Sequence, residues 1–90
     1  MVQIVLGAAK VSLRIHEETP VRATVRSEGE ATAVGVSPRI LENGMDVGAF
    51  PPTDDYGITT AMISFVEAGV YELRAEYSGA ESNSVTLRVS

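Results

Sequence analysis

Apolar and polar residues alternate with a period of two along most of this chain. Val11, Leu13 and Ile15 alternate with Ser12, Arg14 and His16, and Val21, Ala23 and Val25 with Arg22, Thr24 and Arg26. Ala61, Ile63 and Phe65 alternate with Met62 and Ser64, and Val85, Leu87 and Val89 with Thr86 and Arg88. The cleanest run sets Tyr71, Leu73, Ala75 and Tyr77 against Glu72, Arg74 and Glu76. Successive side chains of a strand point to opposite faces, so this pattern predicts β-strands with one buried face. No segment of useful length carries the helical period.

Turn signals separate these runs: Thr19-Pro20, Ser27-Glu28-Gly29-Glu30, Asn43-Gly44, Pro51-Pro52, Ala68-Gly69 and Ser78-Gly79. Glycine supplies positive φ and proline fixes φ, so each breaks a strand for a steric reason. Asn43-Gly44 is the strongest of them, predicting that Ala33–Leu41 returns as Met45–Phe50 through a type I′ hairpin. Pro38 within the first arm predicts an edge strand or a bulge there. The longest irregular segment, Phe50 to Gly57, reads as a connection between two sheets. Strands recurring every 8–12 residues or so between such turns define an all-β sandwich or barrel.

Composition narrows the picture. Ninety residues make a single domain, 1–90, of a size that buries only about 60–65% of its unfolded surface. There is no cysteine, so neither a disulfide nor a thiolate metal site supplements the core. A 44% apolar share is that of a globular chain. A net charge of −5 argues against a nucleic-acid backbone or an anionic membrane as partner. The longest apolar run, Ile4 to Ala9, falls far short of the ~20 residues of a membrane helix.

The C-terminal third, EAGVYELRAEYSGAESNSVTLRVS, resembles the last two strands of immunoglobulin-like modules. It is most similar to bacterial and phage repeats ending in Gly-x-Tyr-x-Leu-x-Ala-x-Tyr and continuing with Ser-Asn-x-Val-Thr-Leu, here Ser82 to Leu87. The resemblance implies an immunoglobulin-like antiparallel β-sandwich of about 7–8 strands. It also implies a tyrosine corner at Glu67-Ala68-Gly69-Val70-Tyr71, with the Tyr71 hydroxyl bonded back to the main chain. The chain departs from antibody domains in having Leu73 where a disulfide cysteine would stand, and no tryptophan.

Catalytic chemistry finds little footing. His16 is the single histidine, and it stands before Glu17 and Glu18 on the expected outer face of a strand. No Gly-x-Ser-x-Gly elbow, P-loop or dinucleotide glycine motif occurs. Asp46, Asp54 and Asp55 lack the dense spacing of a calcium loop and read as turn carboxylates. No enzyme, no metal and no cofactor is therefore expected. Pro51 and Pro52 with Phe50 and Tyr56 offer a small aromatic platform for carbohydrate, against which Phe50 also reads as a core plug.

Three functions follow. The first is a bacteriophage virion protein that decorates a capsid or tail, made in the host cytoplasm and docked on a protein lattice or on copies of itself. The second is an immunoglobulin-like repeat from a bacterial cell-surface or adhesin protein. The third is a carbohydrate-binding module. Met1 to Leu6 lacks the basic start and the length of an export signal, which favours the first. The docking candidates are Val2, Ile4 and Leu6, in residues 1–10 read as either an N-terminal arm or a first strand, and Phe50 and Tyr56 in the long connection.

Overall fold

Four of the five alternating runs become strands whose apolar faces turn inward. The computed structural model describes residues 2–27 and 33–90. The turn expected at Ser27 to Glu30 lies largely outside them. Within them the strands are β1 (Gln3–Ala8), β2 (Ser12–Leu13), β3 (Thr19–Arg26), β4 (Arg39–Glu42), β5 (Met45–Ala49), β6 (Ile58–Ile63), β7 (Gly69–Tyr77), β8 (Ala80–Glu81) and β9 (Val85–Val89). One sheet has the order β1-β3-β6, and the other β2-β9-β7-β4-β5 with β8 added to β7. Neighbours pair antiparallel except β2 and β9, which run parallel. The protein is an all-β, immunoglobulin-like sandwich.

The core lies between the sheets. Ile4 and Leu6 from β1 and Val21, Ala23 and Val25 from β3 face Leu73 and Ala75 from β7 and Leu87 and Val89 from β9 within one buried cluster. Leu13, Ile40, Phe50 and Phe65 complete that cluster. With no disulfide, removal of this apolar surface from water is the main stabilising term, at roughly 25 cal/mol per Å².

Two hairpins follow from their turn residues. Asn43 and Gly44 take φ of 51° and 84°, the two left-handed positions of a type I′ turn joining β4 to β5. The turn is fastened to β7: the Asn43 N–H donates to the Glu72 carbonyl at 2.8 Å, and its Oδ1 accepts from the Glu72 N–H at 2.9 Å. Ser78 and Gly79, at φ of 53° and 81°, do the same between β7 and β8.

Three expectations are corrected. Val11 to Ile15 supplies only the two-residue β2, with Val11 and Ile15 exposed. The chain crosses there from one sheet to the other, bonded to the β9 end from the Val11 carbonyl to the Ile15 N–H, and His16 at φ 68° then turns it away. The first hairpin arm starts at Arg39, because Ala33 to Pro38 is spent pinning a loop. Pro38 is buried just ahead of β4, where no ladder N–H is needed, so β4 sits between β7 and β5 and is no edge. The bulge instead falls in β5 at Val47, since Ile40 pairs with Gly48 and Leu41 with Asp46. Of the two readings of residues 1–10, residues 3–8 follow the first strand and not the arm, because β1 pairs with β3 from Gln3↔Arg26 to Ala8↔Val21.

The Tyr71 hydroxyl donates to the Glu67 carbonyl at 2.8 Å, and its half-buried ring stacks on Phe65 with centroids 4.0 Å apart. Tyr71→Phe keeps the stack and loses one hydrogen bond, so urea unfolding should show a loss of about 0.5–1.5 kcal/mol. An unchanged midpoint would remove any role for the hydroxyl.

Candidate functional site

The connection between β5 and β6 is built to hold one aromatic ring in solvent. Thr53, buried at its base, is a four-bond node. Its hydroxyl donates to the Ala33 carbonyl at 2.5 Å and accepts the Val36 N–H at 3.1 Å. Its N–H donates to the Val36 carbonyl, and its own carbonyl accepts from the Gly35 N–H. Residues 33–36 are thereby fixed to the connection. Next along the chain, Asp54 Oδ1 accepts the N–H groups of Tyr56 at 2.8 Å and Ile58 at 3.0 Å, and the Asp54 carbonyl accepts from the Gly57 N–H. This Asx-type closure, with Gly57 at φ 75°, sets the direction of Tyr56, which is 74% exposed. Val34, Pro51 and Pro52 are exposed at the same end of the sandwich.

The other docking candidates are placed differently. Ile4 and Leu6 are 6% and 3% exposed, and Phe50 3%, so these three belong to the core and are withdrawn from any partner surface. Val2 is half-buried and packs against the same core. With Phe50 below the surface, the two-ring carbohydrate platform does not form, and Tyr56 stands without its expected companion.

The carboxylates of Asp46 and Glu17 are committed to local structure. Asp46 accepts two 2.9 Å bonds from the Arg39 guanidinium and one from the Gly48 N–H at 3.1 Å; the bonds from Arg39 hold its carboxyl below the usual range. Glu17 lies below its usual range through the hydrogen bond from Lys10 Nζ at 2.6 Å and a second from the Arg14 N–H. It therefore closes its own turn. Among the described residues no three His, Asp or Glu side chains gather where a metal could be held.

One residue without an assigned role emerges from the geometry. Asn83, just before β9, accepts the Leu6 N–H on its Oδ1 and donates its amide to the Leu6 carbonyl, both at 2.9 Å. It acts as a one-residue strand, clamping the outer edge of β1 to the second sheet. Beside it, a cleft of about 730 Å³ runs between Val2–Val5 and Ser78–Glu81. An asparagine in a strand-to-strand break is the only sequence signal for this, and alone it reads as a turn residue.

Fold and surface together define an immunoglobulin-like sandwich with a hydrogen-bonded loop end that carries the exposed Tyr56. It is similar to the CARDB domain of the PF1109 protein from Pyrococcus furiosus. The crystal structure of that domain, described as in complex with di-metal ions, has a TM-score of 0.69 at 10% identity, covering 99% of this chain and 92% of that one. Its solution NMR structure gives 0.69 at 11% identity, covering 98% and 93%. No protein-family model and no curated protein matches the chain.

Proposed function

We propose that the chain is a non-catalytic interaction module that docks on a protein partner through the loop end carrying Tyr56. The observation that carries this reading is the exposed tyrosine on a turn already fixed by Asp54 and Thr53. A rigid aromatic side chain loses little conformational entropy on binding, and buried tyrosines are prominent among residues whose truncation costs most affinity. In its finer form, the partner is a repeating protein lattice, the capsid or tail of a bacteriophage. A small acidic sandwich suits that role, since it stays soluble and settles on a preformed surface through one end.

A second reading has its own support. Val2 precedes the β1 residue paired with Arg26, whereas Ser90 follows the β9 residue paired with Gly69, so the two ends of the chain lie at opposite poles of a body 41 Å long. Modules connected pole to pole make extended arrays, the arrangement of a cell-surface repeat protein. PF1109 likewise carries its CARDB sandwich as a domain.

Co-sedimentation of the full chain with the virion specified by its neighbouring genes tests the first reading. Tyr56→Ala should weaken binding by roughly 30-fold or more. Its melting temperature should stay put, because truncation of an exposed side chain changes stability by no more than about 0.5 kcal/mol. Undiminished binding would remove Tyr56 from the interface, and no co-sedimentation at all would remove the virion.

A further inference from the structure

We infer that β6 is a self-pairing edge, through which two copies of this chain join into one continuous sheet. The two sheets of the path leave four outer strands, and three of them are blocked. β1 is interrupted at Leu6, whose N–H and C=O are both taken by Asn83. β2 is only two residues long, and β5 is bulged and braced by the Arg39–Asp46 ion pair. Short length, bulges and covering side chains are the usual ways in which an edge is kept from pairing with another chain. Among the described residues, β6 has none of them beyond its first residue, Ile58.

The strand reads Ile58-Thr-Thr-Ala-Met-Ile63, six residues without charge, proline or glycine, in unbroken register with β3. Its hydrogen-bonding direction is set at its start. The Ile58 carbonyl accepts from the Asp54 N–H at 2.9 Å, and the Ile58 N–H donates to Asp54 Oδ1 at 3.0 Å. Ile58 therefore turns its backbone groups away from β3, and by alternation so do Thr60 and Met62. Those two residues present two donors and two acceptors along an edge that no other described residue covers.

That set is self-complementary. A second copy, antiparallel about a two-fold axis through Ala61, sets Thr60 opposite Met62 of the other copy and the reverse. Each such pair exchanges two N–H···O=C bonds, giving four in all, and the ladder stops at Ile58, whose groups Asp54 already occupies. Met62, 57% exposed, then packs beside Thr60 of the other copy.

Charge does not oppose a second copy. The chain carries −5, yet the outward face of the β1-β3-β6 sheet holds Arg22 and Arg26 and no acidic residue, so the acidic surface lies elsewhere. The β3 strands of the two copies would stand about 14 Å apart, three strand spacings, beyond the ~8 Å screening length at physiological salt. Their arginines therefore offer little repulsion. The contact is smaller than a standard interface, so the dimer is weak and concentration-dependent.

Sedimentation equilibrium from micromolar to millimolar concentration reads this out. The mass of the full chain should rise from 9.5 kDa toward twice that value. Thr60→Pro deletes an outward N–H without touching the bonds to β3, and Met62→Lys places a charge on the open edge. Each should hold the mass at the monomer value with melting unchanged, and Met62→Lys serves alone if the proline variant fails to fold. Val5→Lys, on the same face but at the β1 edge, should dimerise as the parent does. A chain monomeric at every concentration overturns the proposal and reserves the edge for a strand of a different protein. Dimerisation undiminished in Met62→Lys, or lost equally in Val5→Lys, overturns it in favour of another surface.

Discussion

Removing residues 1–8 is expected to destroy cooperative folding. The truncation takes away β1 whole, including the ladder to β3 and the buried side chains of Ile4 and Leu6. Fully burying such a side chain is worth about 1.5–3 kcal/mol, so the two together rival a large part of the roughly 5–15 kcal/mol by which a small domain is stable. The remaining sheet would have two strands, β3 and β6, too few for a stable layer in water. The truncated chain should therefore bind hydrophobic dye and lose its sigmoidal circular-dichroism melt. A detachable arm would give the opposite result, a soluble sandwich melting near the parent temperature, and that outcome would overturn the placement of β1. Ile4→Ala in the full-length chain keeps the ladder and should show a partial loss of about 2–5 kcal/mol.

The fate of β1 shows where alternation could and could not be read. Within Val2 to Ala9 nearly every residue is apolar, so no polar partner marks an outer face, and the stretch suits a partner-binding arm as well as a first strand. Position decides it: Ile4 and Leu6 point inward while Val5, 64% exposed, points out. In β3, β7 and β9, by contrast, charged or hydroxyl residues mark the outer face, and the inward sets Val21/Ala23/Val25, Leu73/Ala75 and Leu87/Val89 follow directly. Asn43-Gly44 was equally legible because type I′ geometry demands positive φ twice, a requirement few residue pairs satisfy.

Features that depend on contacts distant in sequence were hidden. Pro38 announces an interruption, but whether that interruption lies inside a strand depends on Thr53, which draws residues 33–36 away from the ladder. Phe50 and Tyr56 are similar in character and only six positions apart, yet one plugs the core and the other stands in solvent. The Asp54 turn makes that division, and its acceptor geometry is invisible in a string where Asp54-Asp55 reads as a pair of solvated carboxylates. Asn83 is the clearest case. Its partner Leu6 is 77 positions away, so nothing local distinguishes it from an ordinary turn asparagine.

Leu73→Ala should be the most damaging single substitution on β7, and Val70→Ala on the same strand among the least. Leu73 is 1% exposed, opposite Glu42 on one neighbouring strand and Val85 on the other, and its side chain sits in the core cluster. Because both flanking strands are fixed by ladders, the site cannot close around a missing isobutyl group, and a cavity adds to the lost transfer energy. Leucine-to-alanine changes of this kind cost about 2–5 kcal/mol. In a domain of this size that lowers the melting temperature by roughly 10–30 °C. Val70 points outward at 58% exposure, so its truncation should stay within about 0.5 kcal/mol. Leu73→Met, which conserves volume, should lose less than about 1.5 kcal/mol and separates packing from any requirement for leucine itself. Thermal melts of the three variants measure the contrast. Equal losses at positions 70 and 73 would mean that β7 does not present alternate faces to core and solvent, and the sandwich register would fall with it.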